Sequence, residues 1–335
     1  KQLRVALISD TAIAVRLWGK IMRWTDRVER RIKLRDLHIL SALVESGSMG
    51  RAAKQLAISQ PVVSKTIADL EHALGVRLLD RTSQGVEVTV YGRALLNCGT
   101  AVFDDLRQGM QEIAFLSDPT VGELRVGGAG PFIDGLIPAA IARLGDRYPR
   151  IEFQVTESDP PTLCRMVRER HIDLAILRTS GSIYSEDLQS DALFEEPLFI
   201  IAGLDNPWSR RRKIDLQDLL DEPWALPKLD NVASALIADG FRSAGIVPPT
   251  PQVVSDSMAV RTRLVETGRF LTFLPGSTLY FGAGRLQVKV LPVSLSMKAP
   301  PTEIITLKNR TPNAIARLLV AELHAVAEPL KKNRR

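Results

Sequence analysis

The stretch Ser48 to Ile67 limits what this chain can fold into more than any other. It reads Ser-Met-Gly-Arg-Ala-Ala-Lys-Gln-Leu-Ala-Ile-Ser-Gln-Pro-Val-Val-Ser-Lys-Thr-Ile. Small Ala52 and Ala53 let two helix backbones cross closely, and Leu56, Ile58, Val63 and Ile67 fill the little core beneath the crossing. Upstream, Leu34, Leu37, Ile39, Leu40, Leu43 and Val44 recur at helical spacing and stop at Gly47. Ser48 suits the N-cap of a short second helix. Ser59 suits that of a third, with Pro61 in the first turn, where no backbone donor is needed. Gly75 ends the third helix. Val76 to Val90 then alternates weakly around Ser83-Gln84-Gly85, which predicts a two-stranded wing.

This packing leaves Ser59, Gln60, Pro61, Ser64 and Lys65 on the outer, N-terminal face of the third helix. Recognition helices present that end to base edges in the major groove. The plainer alternative is an αα-corner whose polar face is merely solvated. The wing and the charge together favour the first. The chain carries a net +6, and residues 1–92 hold 15 Lys and Arg against 9 Asp and Glu, while residues 93–335 hold 29 of each. A basic excess confined to the first quarter points to a polyanion. Gln60 is assigned to adenine, Ser64 to either base type, and Pro61 or Val62 to a thymine methyl. Arg51, Lys65 and Arg81 are assigned to phosphates or the groove.

Tyr91 to Leu116 reads as one long helix. Leu95, Val102, Leu106, Ile113 and Leu116 form a coiled-coil-like seam, and Leu96, Phe103 and Met110 a second stripe. A lone helix with this much apolar surface wants a partner, so Leu95, Val102, Leu106 and Ile113 are the expected dimerisation residues. From Gly122 the chain alternates strand and helix. Strands are expected at 123–127, 151–156, 172–177, 198–202, 224–226, 252–255, 270–274, 286–290 and 304–307, and a last helix from Asn313 to about Leu330. That order predicts an α/β region with parallel βαβ packing in two lobes. The expected organisation is an N-terminal extension (1–32), a winged helix-turn-helix (33–90) and a linker helix (91–118). An effector domain (119–330) and a basic tail (331–335) follow. Its first lobe covers about 122–196 and 299–330, its second about 197–298.

Other classes are weakened by what the sequence lacks. Apolar residues make up 45% and charged residues 24%, an ordinary globular balance, and no apolar run is long enough for a membrane span. Cys98 and Cys164 have no metal-ligand spacing, which makes a reducing cytoplasm the default compartment. No HExxH or GxSxG motif appears, and Gly128-Ala129-Gly130 has Ile133 where a dinucleotide loop needs its third glycine. No metal or cofactor is expected. An α/β enzyme fused to a helix-turn-helix and a DNA-binding protein without a ligand remain as alternatives.

Residues 33–92 resemble the DNA-binding domain of LysR-type transcriptional regulators. The match includes Gly47-Ser48-Met49, Ala52-Ala53 and Ser59-Gln60-Pro61-Val62-Val63-Ser64. It continues through Ile67, Leu70-Glu71, Leu74-Gly75, Leu78-Leu79, Arg81, Val88-Thr89 and Gly92. Leu136, Pro138, Tyr148-Pro149 and Ile172-Asp173-Leu174-Ala175-Ile176 extend it to about residue 325. The wing text Asp80 to Glu87 resembles a branch that includes regulators of a galactose-binding protein and of aromatic-acid catabolism. Leu79 stands where the wing usually carries Phe. The family normally starts near Lys33, so residues 1–32 read as an extension, a non-native segment or a misplaced start.

The resemblance implies a winged helix that binds an interrupted dyad in double-stranded DNA, a dimer that pairs again into a tetramer, and RNA polymerase as a further partner. It also implies a periplasmic-binding-protein-like effector domain that takes a small molecule between its lobes. Open α/β sheets bind ligands at the carboxyl ends of their strands. Those ends supply Gly130, Pro131, Phe132, Ser158, Asp159 and Arg178 from the first lobe, and Asn231 and Ser255 from the second. Backbone N–H groups of the Gly127–Phe132 loop are expected at a helix N-terminus. Arg178 would attract a carboxylate, and Asp159 is the group that would neutralise it. The expected effector is a small acid, sugar or sugar acid.

Overall fold

The computed structural model describes residues 32–82, 85–178, 186–229, 232–293 and 300–332. The N-terminal extension up to residue 31, Ser83-Gln84 of the expected turn, Asn231 and the last three residues of the tail lie outside them. So does the side chain of Arg81. The chain divides into two compact units, Lys1–Arg107 and Gln108–Arg335.

In the first unit, α1 (Leu34–Ser46) buries Leu37, Ile39, Leu40 and Leu43 and ends where Gly47 takes a left-handed φ of 68°. α2 (Met49–Gln55) is capped by Ser48, whose hydroxyl accepts the Arg51 N–H at 3.2 Å, and its Ala52 and Ala53 are buried at the crossing. α3 (Gln60–Leu74) buries Val63, Ile67 and Leu70. Ser59 stands at its N-cap without a side-chain cap bond, contrary to expectation. The reason is local: Pro61 has no N–H to offer, and the Val62 N–H already reaches the Ser59 carbonyl at 3.0 Å.

The wing is β1 (Leu79–Thr82) paired antiparallel with β2 (Gly85–Val88). Glu71, on the last turn of α3, accepts the Leu78 and Leu79 N–H groups at 2.8 and 3.3 Å and fixes the wing to the helix. The long α4 (Val90–Ser117) starts beside that wing. A Cβ on Gly92 would collide with the Leu78 carbonyl, and one on Gly99 would touch Leu37 at 3.6 Å. These two glycines, seven residues apart, press the first half of α4 onto the winged helix, and Leu95 and Leu96 pack into its core.

In the second unit, the first lobe is a five-stranded sheet in the order β4-β3-β5-β12-β6. β3 (Val121–Gly128) runs parallel to β4 (Arg150–Glu157) and β5 (Leu174–Arg178); β12 (Thr302–Leu307) is antiparallel to β5 and to β6 (Leu188–Phe194). α5 (Leu136–Gly145) and α10 (Ala314–Lys332) cover one face over Leu124, Val126, Leu174, Ile176 and Ile304. α6 (Pro160–Arg168) covers the other over Ala175, Leu177 and Ile305.

The second lobe holds β7 (Leu198–Gly203) between β10 (Leu271–Pro275) and β11 (Val288–Val290), both antiparallel to it. β8 (Ala225–Leu226) pairs in parallel with β9 (Val253–Val254) and adjoins β10 through a parallel bridge from Trp224 to Leu271. Trp224, Phe241 and Phe273 form its aromatic centre, with ring centroids 5.5 to 6.1 Å apart. α7 (Val232–Ser243) and α8 (Met258–Glu266) pack on this sheet, and α9 (Gly276–Phe281) follows β10 directly.

A buried ionic knot ties the first lobe together. Asp173 Oδ2 accepts the Arg125 N–H at 2.8 Å, and its Oδ1 meets Arg125 at 3.1 Å and Arg310 at 2.5 Å. Burial raises the Asp173 pKa, but the Arg125 bonds and the two guanidinium charges outweigh it and hold the group at about 2. Because the folded pKa is depressed, the stabilisation is complete above the ordinary carboxylate value and is lost as pH falls toward 2. The knot is expected to contribute about 2 kcal/mol of pH-dependent stability between pH 5 and 2. Denaturant unfolding across that range should show it, and Asp173→Asn should flatten that part of the curve. An unchanged slope in the variant would contradict the assignment.

Candidate functional site

The first candidate surface is the N-terminal end of α3. Val63, Ile67 and Leu70 hold its inner side in the core, which turns Ser59, Gln60, Pro61, Val62 and Lys65 outward; Ser64 is half-buried. Val62 is 39% exposed, an apolar side chain left beside polar neighbours. Arg51 is exposed, but its Nε donates to the Ser46 carbonyl at 2.6 Å, so part of its fork closes the end of α1. The turn before α3 carries Ala57 at a φ of 53°, a left-handed conformation that fixes the angle between α2 and α3.

The expected dimerisation stripe divides on inspection of α4. Leu95 is half-buried and packs against the winged-helix core, so only part of its surface is open to a partner. The sequence placed no domain beside the helix; Gly92 and Gly99 supply the close approach that puts one there. Val102 is half-buried, whereas Leu106, Met110, Ile113 and Leu116 are 46%, 72%, 66% and 75% exposed. Within the second unit the other side of the helix is occupied. Gln111 accepts a bond from Asn313 at 2.9 Å, and Glu112 accepts the Ala314 N–H at 3.2 Å at the start of α10.

The second candidate site lies at the strand ends of the lobes. The chain after β3 forms a short 3-10 turn, Gly130–Phe132, which ends before α5 begins at Leu136. The N–H groups of Ala129, Phe132 and Ile133 are taken by the carbonyls of Ile176, Ala129 and Gly130, at 3.0, 3.0 and 3.2 Å. The expected row of free N–H groups at a helix N-terminus is therefore absent there. Gly127 and Gly128 are demanded by packing on both faces of the sheet, since a Cβ would lie 2.6 Å from Leu163 and 2.5 Å from Ile137. Gly130 faces open space, Pro131 is half-buried and Phe132 is buried.

Ser158 donates its N–H to the Gly128 carbonyl at 3.3 Å, and its hydroxyl lies 3.5 Å from Asp159. Asp159 caps α6 by accepting the Thr162 N–H at 2.9 Å. Burial pushes the Asp159 pKa up, but the bonds from Thr162 and Ser158 bring it below the usual carboxylate range.

Arg178 requires a correction. It is 8% exposed and donates to Glu196 at 2.7 Å and to Thr302 at 3.4 Å, with its guanidinium 5.9 Å from the Phe132 ring. Glu196, not Asp159, neutralises it, so Arg178 carries no spare charge for an acid. Glu196 also takes the Ser277 hydroxyl at 2.9 Å and the Ser277 N–H. Arg178 and Thr302 belong to the first lobe and Ser277 opens α9 in the second, so this cluster joins the lobes at the crossover. Sequence reading missed Glu196, Ser277 and Thr302; their separations of 18, 81 and 124 residues from their partners leave no local signal. On the second lobe, the Ser255 N–H reaches the Leu226 carbonyl at 2.9 Å, and Asp256 binds the Lys228 N–H at 3.1 Å. Among the described residues no group of His, Cys, Asp and Glu is placed to hold a metal ion, and no helix is long and apolar enough to cross a membrane.

A helix-turn-helix with a wing, followed by a two-lobed α/β sensor, defines a class of regulatory protein. Residues 34–93 match the family described as bacterial regulatory helix-turn-helix protein, lysR family, and residues 117–328 match the LysR substrate binding domain. The chain belongs to the LysR family of DNA-binding transcriptional regulators.

The HTH-type transcriptional regulator GbpR of Azospirillum brasilense is 26% identical over 303 residues, covering 90% of this chain and 88% of that protein. The transcriptional dual regulator GltC of Bacillus subtilis is 27% identical over 279 residues, covering 83% and 92%. In fold, the chain is similar to a cysteine variant of full-length OxyR from Pseudomonas aeruginosa, with a TM-score of 0.65, 22% identity and coverage of 89% and 97%. It is also similar to full-length CbnR complexed with its target DNA, with a TM-score of 0.52, 22% identity and coverage of 88% and 100%. These relatives are regulators rather than catalysts, and the α/β-enzyme alternative falls away.

Proposed function

We propose that this regulator binds, as a dimer, the two halves of an interrupted dyad in double-stranded DNA, and that a small molecule between its lobes alters that binding. The observation that carries the DNA half is the outward row on α3, with its opposite side locked in the core. Gln60, Ser64, Pro61 and Val62 are the readers in this account. Lys65, the free part of Arg51, and Arg81 meet phosphates. The substrate-binding family match supports an effector over a ligand-independent DNA binder. In this reading Gly130, Pro131, Phe132, Ser158 and Asp159 serve from the first lobe and Ser255 from the second. In this reading dimers pair again into a tetramer, RNA polymerase is the onward partner, and the site of action is the cytoplasm.

Base readout and phosphate contact leave different traces. Gln60→Ala is expected to cost about 1–3 kcal/mol on the dyad site and little on random DNA. Lys65→Ala should weaken both and lower the salt slope by about one. Fluorescence anisotropy over a salt series measures both effects; equal losses on both DNAs for the Gln60 variant would remove it from the readers.

For assembly, the proposed contact centres on the exposed stripe Leu106, Met110, Ile113 and Leu116, with half-buried Leu95 and Val102 continuing it toward the winged helix. A second copy buries that stripe and presents two recognition helices to two half-sites. Leu106→Asp combined with Ile113→Asp should sediment as a monomer and lose the dyad footprint. A variant that sediments and footprints like the parent would mean that the stripe is not the interface.

A further inference from the structure

Arg261, in the first turn of α8, is 4% exposed. Its contacts are weak for so buried a cation. Nη1 reaches the Phe273 carbonyl only at 3.5 Å, Nη2 lies 3.6 Å from the Met258 sulfur, and Nε has no hydrogen-bond partner. Arg178 and Arg310 are similarly buried, yet each has a carboxylate within 2.7 Å. Among the described residues no carboxylate pairs with Arg261. Asp256 is close enough to be felt, but it is held by Lys228, whose ammonium stands 3.4 Å away. Burial pushes the Arg261 pKa down to about 10, which leaves the side chain charged at neutral pH. A buried charge without a counter-charge is costly, and proteins keep one where something else supplies the partner.

The position of the guanidinium indicates where that partner would come from. β8 adjoins β10 in parallel through Trp224 and Leu271, with the Leu271 N–H on the Pro223 carbonyl. Continuing that register brings residue 227 to the Phe273 carbonyl, but residue 227 is a proline and has no N–H to give. Arg261 takes that place. It therefore stands at the carboxyl end of β8, beside the segment that carries Lys228 and across from Ser255 and Asp256. Along β10 it is two residues from Pro275, after which Ser277 meets Glu196 at the crossover. Strand ends of this kind are where open α/β sheets take ligands.

We infer that Arg261 is the anion anchor of the effector site, and that the effector is a small organic acid whose carboxylate supplies the missing counter-charge. This rests on the effector reading above and adds the chemical class of the ligand and the residue that selects it. The unused Nε–H and the loosely held Nη groups form a planar fork that suits a carboxylate.

Thermal unfolding and calorimetry of the full chain test the inference. The probes are acetate, succinate, benzoate and inorganic phosphate, each against chloride at equal ionic strength, with acetamide, succinamide and benzamide as neutral counterparts. At least one carboxylate should raise the unfolding midpoint of the parent above the effect of its amide. Arg261→Met should abolish that rise and weaken the acid at least ten-fold, while unfolding without ligand no earlier than the parent. Arg261→Lys should keep part of the rise, and Arg261→Gln serves if the methionine variant does not fold. No acid-specific rise in the parent, a rise with phosphate alone, or a rise that persists in a folded neutral variant overturns the inference. Neutral compounds that shift both parent and variant would leave the effector reading standing and remove only the anion. Dyad-DNA binding measured on the same samples separates either failure from loss of the regulator itself.

Discussion

Glu196 lies 5% exposed where the chain leaves the first lobe, and the rest of the sensor depends on how its two carboxylate oxygens are used. One oxygen takes Arg178 from the end of β5 and the Ser277 hydroxyl; the other takes the Ser277 N–H at the start of α9. Taking a carboxylate and a guanidinium out of water costs several kcal/mol each, and that cost is offset only when both are well bonded. The partners come from different lobes, so the charge is satisfied only while the lobes hold this arrangement. Phe281 of α9 adds an apolar contact of the same kind. It packs on the first-lobe core at Gly135, where a Cβ would lie 2.7 Å from its ring.

From this constraint the division of labour follows. Arg178 holds the lobes together and cannot also hold an acid. Arg261, equally buried but without a carboxylate, has the charge that Arg178 lacks the freedom to offer. A ligand changes a conformational equilibrium only through contacts that differ between the states. A small acid that completes Arg261 acts on the second lobe, whose α9 carries the Ser277 contact to Glu196. At the other end of the first lobe, Glu112 of α4 accepts the Ala314 N–H and pairs with Arg317 at 3.3 Å.

The winged helix was legible in the sequence because its determinants are local. Ser48 caps, Gly47 and Gly75 terminate, and Ala52 and Ala53 sit at the crossing, all within the reach of helical periodicity. Most strands of the sensor were also legible as apolar runs. β6 was not: its interior, Gln189 to Ala192, is exposed at a sheet edge, so no alternation marks it. The packing of Leu95 against the winged helix was not legible, because apolar spacing on a helix gives the stripe without saying what covers it. The pairing of Arg178, and the roles of Glu196, Ser277 and Arg261, were beyond sequence reasoning for a related reason. Whether a buried arginine is paired depends on residues far away in the chain, and only the fold brings them together or withholds them.

The central claim is that the Arg178–Glu196 pair is a single buried unit spanning the crossover, and a double-mutant cycle measures it most directly. Arg178→Met and Glu196→Gln are made singly and together in the full chain, and each is unfolded by denaturant at neutral pH. Each single variant leaves a buried charge unpaired and should lose about 3–5 kcal/mol. The double variant should lose much less than the sum, with a coupling of at least ~2 kcal/mol. Losses that add to within ~0.5 kcal/mol would show two independent surface-like contacts and contradict the account.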